Sequence, residues 1–168
     1  MAKLTYELSA YDELHYGRTN MFSVWIERIP EAEIAVVSVS GLLGYQLGVL
    51  TVNNYNEPAK LAEKPELNEV SLVLHDNLSK KTVEDLWRWF TQVYDPETRR
   101  MGVPRDYKCD GELKVYTTKG ELVRSFKLQG LWPSAVDLGE YSYENAELTQ
   151  VTATLQVDRV ILGKGGGH

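Results

Sequence analysis

One thiol and three imidazoles are the groups in this 168-residue chain best suited to bond-making. Cys109 stands between Lys108 and Asp110, and a neighbouring ammonium favours the nucleophilic thiolate. A cysteine nucleophile also needs a base and a recognisable setting, and no such signature surrounds it, so it reads as a small structural cysteine. His15, His75 and His168 lie far apart and share no metal-ligand spacing. His75 closes an alternating run and reads as structural, and His168 reads as a solvated terminus. The pairs Glu31/Glu33, Glu84/Asp85 and Glu140/Glu144 have the chemistry for acid–base work, but solvated faces and helix-end charges account for them. The chain has no phosphate-cradling glycine loop and no G-x-S-x-G elbow. No catalytic residue, cofactor or metal is therefore expected, and the protein reads as a non-enzyme.

Arg99, Arg100, Arg105 and Lys108 form a small basic group that can meet phosphate or the carboxylates of a neighbouring subunit. In a chain of net charge −6 the second fits better. The same acidity argues against a general nucleic-acid binder, which needs a basic footprint. An acidic surface can still let nucleic acid slide past without sticking. No apolar run is long enough to span a bilayer, so no membrane binding is expected. The first residues carry no apolar signal core, and one cysteine cannot make an internal disulfide, which suits folding in a cytosol.

The elements that must position these residues are mostly strands. Residues 1–20 read as an N-terminal arm, residues 21–162 as one domain, and the glycine-rich 163–168 as a flexible tail. Phe22, Val24 and Ile26 alternate with Ser23, Trp25 and Glu27, as a strand does. Ile34 to Val39 is apolar and β-branched, which predicts a strand covered on both faces. Residues 41–69 are too long for a plain connection and predict an extended hairpin projecting from the body, with a short strand near Leu47 to Val52. Val70, Leu72 and Leu74 alternate again.

Val83, Leu86, Trp87, Phe90 and Tyr94 fall at i, i+3, i+4, i+7 and i+11, predicting a helix over 82–94 with that face on the core. Ser79 or Thr82 suits its cap. Residues 95–108 read as irregular. Two strands then flank Lys119-Gly120, a tight hairpin connection. Gly130, Trp132 and Pro133 read as a structural turn that fixes a large ring, and Thr149 to Ile161 as one long strand. The fold class is α+β, mainly antiparallel, with a barrel-like or sandwich subunit and one helix packed on it.

Two segments resemble a known family. Lys127-Leu128-Gln129-Gly130-Leu131-Trp132-Pro133-Ser134 is similar to the "K-G-L-W-P-T/S" stretch of tail-tube proteins from contractile-tailed bacteriophages. An acidic, aromatic segment, 137–147, and a terminal alternating strand follow it, as in that family. Arg18-Thr19-Asn20-Met21-Phe22-Ser23-Val24 resembles the family's "R-x-N-x-F-x-V" lead-in to its first strand. In arrangement the resemblance covers about residues 18–161. It implies a structural protein whose hexameric rings stack into a hollow tube inside a contractile sheath. Its partners would be copies of itself, the sheath, baseplate and terminator proteins, and a tape measure protein and DNA in the lumen. Its place would be the virion tail, assembled in a bacterial cytoplasm. Tubes of other contractile injection systems and of type VI secretion share the fold.

On this reading Leu47, Val49, Leu50, Val52, Tyr55, Pro58, Leu61 and Pro65 make contacts between rings or subunits. Glu27, Thr152, Thr154 and Asp158 line the lumen. The rival of another class is a monomeric β-barrel binding module that holds a sugar or peptide on Trp25 and Trp132.

Overall fold

The computed structural model describes residues 21–30, 36–41, 44–54, 57–76, 81–117, 119–139 and 149–163. In chain order the elements are β1 (Phe22–Ile26), β2 (Val36–Ser40), β3 (Tyr45–Asn54), β4 (Glu57–Leu67), β5 (Val70–His75), α1 (Thr82–Val93), β6 (Tyr94–Asp95), β7 (Arg100–Met101), α2 (Pro104–Tyr107), β8 (Cys109–Tyr116), β9 (Leu122–Asp137), β10 (Gln150–Gln156) and β11 (Arg159–Gly163). The fold is mainly antiparallel β with one main helix. The arm 1–20, the tail 164–168, Tyr55, His15, His168, Glu31, Glu33, Ser79, Glu140 and Glu144 lie outside the described residues.

One seven-stranded sheet runs β1-β8-β9-β10-β5-β2, with β11 also on β9, and it does not close. Alternation builds its core. Val70, Leu72 and Leu74 of β5 and Val151, Ala153 and Leu155 of β10 all turn inward and are buried. Leu86 and Trp89 of α1 join them, together with Val24, Ile26, Leu113, Phe126, Leu128 and Leu131.

Strand β9 is the spine. Its residues 125–129 sit between β8 and β11, and its residues 132–137 pair with β10. At the crossover Gly130 adopts φ 71°, where a side chain would run into the carboxylate of Asp158. The Gly-Leu-Trp-Pro segment is therefore not a turn between strands, as its composition suggested, but a bend inside one strand. Pro133, fully buried, sits where the β9–β10 register shifts, between Thr154 and Leu155. A ladder can accept a residue without an N–H at such an irregularity.

The long C-terminal strand divides at Val157–Asp158 into β10 and β11, because its two halves pair with the two halves of β9. The apolar run near Val36 is an edge strand. It pairs only with β5 among the described residues, and Val37 is bulged and exposed rather than covered on both faces.

The helix is rotated from its expected face. Thr82, Leu86, Trp89 and Val93 are buried, whereas Trp87 is 41% exposed and Val83 and Phe90 are half-buried. Tyr94 leaves the helix and pairs with Met101. Both tryptophans fit an apolar stripe. Trp89 takes the core because its indole N–H donates to the Tyr107 carbonyl at 2.6 Å, satisfying the polar tip that burial would orphan. Trp87 instead rests outside against Phe90, with ring centroids 5.7 Å apart. The N-cap is Lys81 and makes no side-chain cap bond.

The stretch expected to be irregular holds β6, β7 and α2. Its turn is tied by the Asp95 carboxylate, which accepts from the Thr98 hydroxyl at 2.6 Å and the Glu97 N–H at 3.0 Å. These bonds, the Thr98 one foremost, hold the Asp95 carboxyl below the usual carboxylate range.

Candidate assembly interface

Within 41–69, β3 and β4 pair as a hairpin, a two-stranded sheet separate from the main one. Both strands are longer than composition suggested. Pro58 and Pro65 are tolerated in β4 because its far edge has no partner among the described residues. The pairing slips once, between Leu47 and Val49, where Gly48 lies under the Glu63 side chain. Beyond each other the two strands touch little of the body. At the base, the Tyr45 hydroxyl donates to the Val160 carbonyl at 3.0 Å and accepts its N–H at 2.9 Å, so one hydroxyl satisfies one residue of the β11 edge.

The apolar residues of the hairpin are uncovered. Val49 is 62% exposed and Leu47, Leu50, Val52 and Leu61 are exposed as well; Pro58 and Pro65 are also exposed. A lone two-stranded hairpin is marginal in water, so one this apolar calls for a covering partner.

The four residues expected together in a lumen fall into two places. Thr152 and Thr154 share the outer face of the sheet with Ser71, Ser38 and Ser40. The register sets Ser38 beside Val73, Thr152 and Asp137, and Ser40 beside Ser71, Thr154 and Ala135. That face is rich in hydroxyls and poor in cations. Gln156 holds its border, donating to Glu69 at 2.8 Å and to Ser134 at 3.3 Å. The serines escaped sequence reasoning, although the pattern Val36-Val37-Ser38-Val39-Ser40 carried the signal once β2 was known to be an edge.

Glu27 and Asp158 sit elsewhere. Glu27 follows β1, and its N–H donates to Asp110 at 3.1 Å. Asp158 is engaged by Lys108 at 2.6 and 2.8 Å, in a half-exposed pair. Lys108 therefore meets a carboxylate of its own chain.

Among the described residues, Cys109 and His75 do not converge. Cys109 is buried on β8, and burial pushes its thiol up to about 11, so it is held as the unreactive protonated form. His75 is on β5, and β9 and β10 lie between the two strands. Trp25 is exposed on β1, while Trp132 is half-buried against Tyr107, with ring centroids 5.8 Å apart. Among the described residues no three His, Cys, Asp or Glu side chains converge as a metal site would, and no helix is long and apolar enough to cross a membrane.

No protein-family model and no curated protein matches the chain. Solved structures do. A chain of the extended sheath-tube complex of the PVC extracellular contractile injection system superposes with a TM-score of 0.72 at 16% identity, covering 92% of this chain and 96% of that one. A chain of the tube-terminating cap of the anti-feeding prophage gives 0.71 at 15% identity, over 89% and 92%. Hcp1 from Flavobacterium johnsoniae gives 0.50 at 13% identity, over 87% and 96%. The chain therefore has the fold of the tube proteins of contractile injection systems and of Hcp.

Proposed function

We propose that this chain is the structural subunit of a hollow tube in a contractile device, and that it performs no catalysis. The observation that carries this is the β3–β4 hairpin, whose exposed aliphatic side chains find almost no cover within their own subunit. The open sheet supports it. Among the described residues, strands β1, β2 and β11 each have a backbone edge without a strand partner, and joining subunits edge to edge in a closed ring removes that liability. Rings of six, stacked through the hairpins, form the tube. The hydroxyl face with Thr152 and Thr154 lines the lumen, where short hydroxyl side chains and the carboxylate of Asp137 give an anionic cargo little to hold. Sheath, baseplate and terminator proteins are the partners outside and at the ends.

Two cargoes fit such a lumen. In a phage tail it conducts viral DNA, alongside a tape measure protein; in an injection device it conducts an effector. The likeness to chains of PVC and anti-feeding prophage assemblies supports the second.

The distal half of the hairpin can be removed cleanly, because Val49 and Ala62 are cross-strand partners that a tight turn can join. Replacing residues 50–61 by a two-residue turn should leave the urea midpoint nearly unchanged. Sedimentation should then find rings but no tubes. Tubes growing from the shortened chain would remove the hairpin from the account.

A further inference from the structure

The hairpin is apolar on opposite faces in its two halves. Cross-strand partners share a face and successive residues alternate, so the register fixes which residues lie together. Near the base, Tyr45, Leu47 and Val49 occupy one face, while Gln46 and Glu66 occupy the other, with Glu63 folded over Gly48. Beyond Val49 the pattern reverses. Leu50, Val52 and Leu61 now share the second face, and Thr51 pairs with Lys60 on the first. A strand laid on a single flat partner keeps its apolar residues on one face throughout, because the side-chain period is two.

We propose that the two halves bind different copies of this chain: the basal face a neighbour in the same ring, the distal face a subunit of the next ring. This rests on the tube reading above. The basal assignment follows from continuity. Tyr45 bonds to Val160 on the edge of β11 that has no strand partner among the described residues, where Leu162 is 65% exposed, and the ring neighbour that covers this edge reaches Leu47 with it. The distal assignment follows from reach. The ten residues of β3 carry the tip roughly 30 Å from Tyr45, at about 3.3 Å per residue.

The native thiol makes the test simple, since Cys109 is the sole cysteine and is buried. Leu47→Cys and Leu50→Cys variants are each co-assembled as a minority with unmodified chain, and maleimide labelling is timed in monomers, isolated rings and tubes. For Leu47→Cys, labelling should slow about tenfold or more on ring formation, as a covered side chain does. For Leu50→Cys, it should stay fast in rings and slow by a similar factor only in tubes. Loss of both reactivities at the same step, or free labelling of either variant in tubes, overturns the two-partner assignment while leaving the tube reading intact. Absence of rings and tubes from the unmodified chain overturns both.

Discussion

Replacing Trp89 by alanine, and separately Trp87 by alanine, tells apart the two apolar stripes of α1. Trp89 is 1% exposed and its indole N–H donates to Tyr107 at 2.6 Å. Burying an indole removes about 150–250 Å² from water, or about 4–6 kcal/mol at about 25 cal/mol per Å². Measured losses for large aromatic truncations in cores run about 3–5 kcal/mol, and a carbonyl left without its donor adds about 1. Trp89→Ala should therefore cost about 4–5 kcal/mol. Trp87 is 41% exposed and packs mainly on Phe90, so Trp87→Ala should cost about 1 kcal/mol.

Urea unfolding followed by circular dichroism separates these outcomes. With a slope near 2 kcal/mol per molar, the Trp89 variant should lose about 2 M in midpoint and the Trp87 variant about 0.5 M. Trp89→Phe, which keeps the ring and drops the N–H, should fall between them. Equal losses for the two alanines, or the larger loss at Trp87, would show that α1 buries the stripe Val83, Trp87 and Phe90 and would refute the packing described above.

Gly130→Ala should cost about 2–3 kcal/mol: about 1–2 for the left-handed backbone and the remainder for pushing Asp158 off Lys108. A loss below about 0.5 kcal/mol would mean that β9 does not bend there. Cys109 makes stability depend on alkaline pH. Its folded thiol is held neutral up to about 11 by burial, while the unfolded thiol ionises from about 9. The stability it contributes is therefore complete below about pH 9 and is lost as pH rises toward 11. Urea midpoints at pH 8 and pH 10.5 should fall further for the native chain than for Cys109→Ala, and parallel declines would place the thiol in solvent.

Where alternation was strict, the sequence was legible. β1, β5 and β10 follow from period-two patterns, and the Lys119-Gly120 connection from its turn chemistry, with Gly120 at φ 84°. The helix range was legible too, but not its face, because Trp87 and Trp89 both complete an apolar stripe. Only a distant carbonyl, that of Tyr107, decides between them. Gly130-Leu131-Trp132-Pro133 has the composition of a turn. What makes it a bend within β9 is long-range pairing with both β10 and β11, which no local signal carries.

The hairpin could be expected from the length of 41–69, and alternation alone sets Leu47 and Val49 opposite Leu50 and Val52, but Leu61 joins the second face only because β4 carries one extra residue where the pairing slips. The serines beside Thr152 and Thr154 were missed because long-range pairing brings them there: Ser71 pairs with Thr154, and Ser38 joins the row of Val73 and Thr152, on strands far apart in sequence.

The central claim is that the chain builds a hollow tube from rings of itself. Negative-stain electron microscopy of the purified, unmodified protein at rising concentration tests it directly. Rings with a central hole should stack end to end into tubes as concentration rises. Particles that remain single compact subunits at every concentration would contradict it.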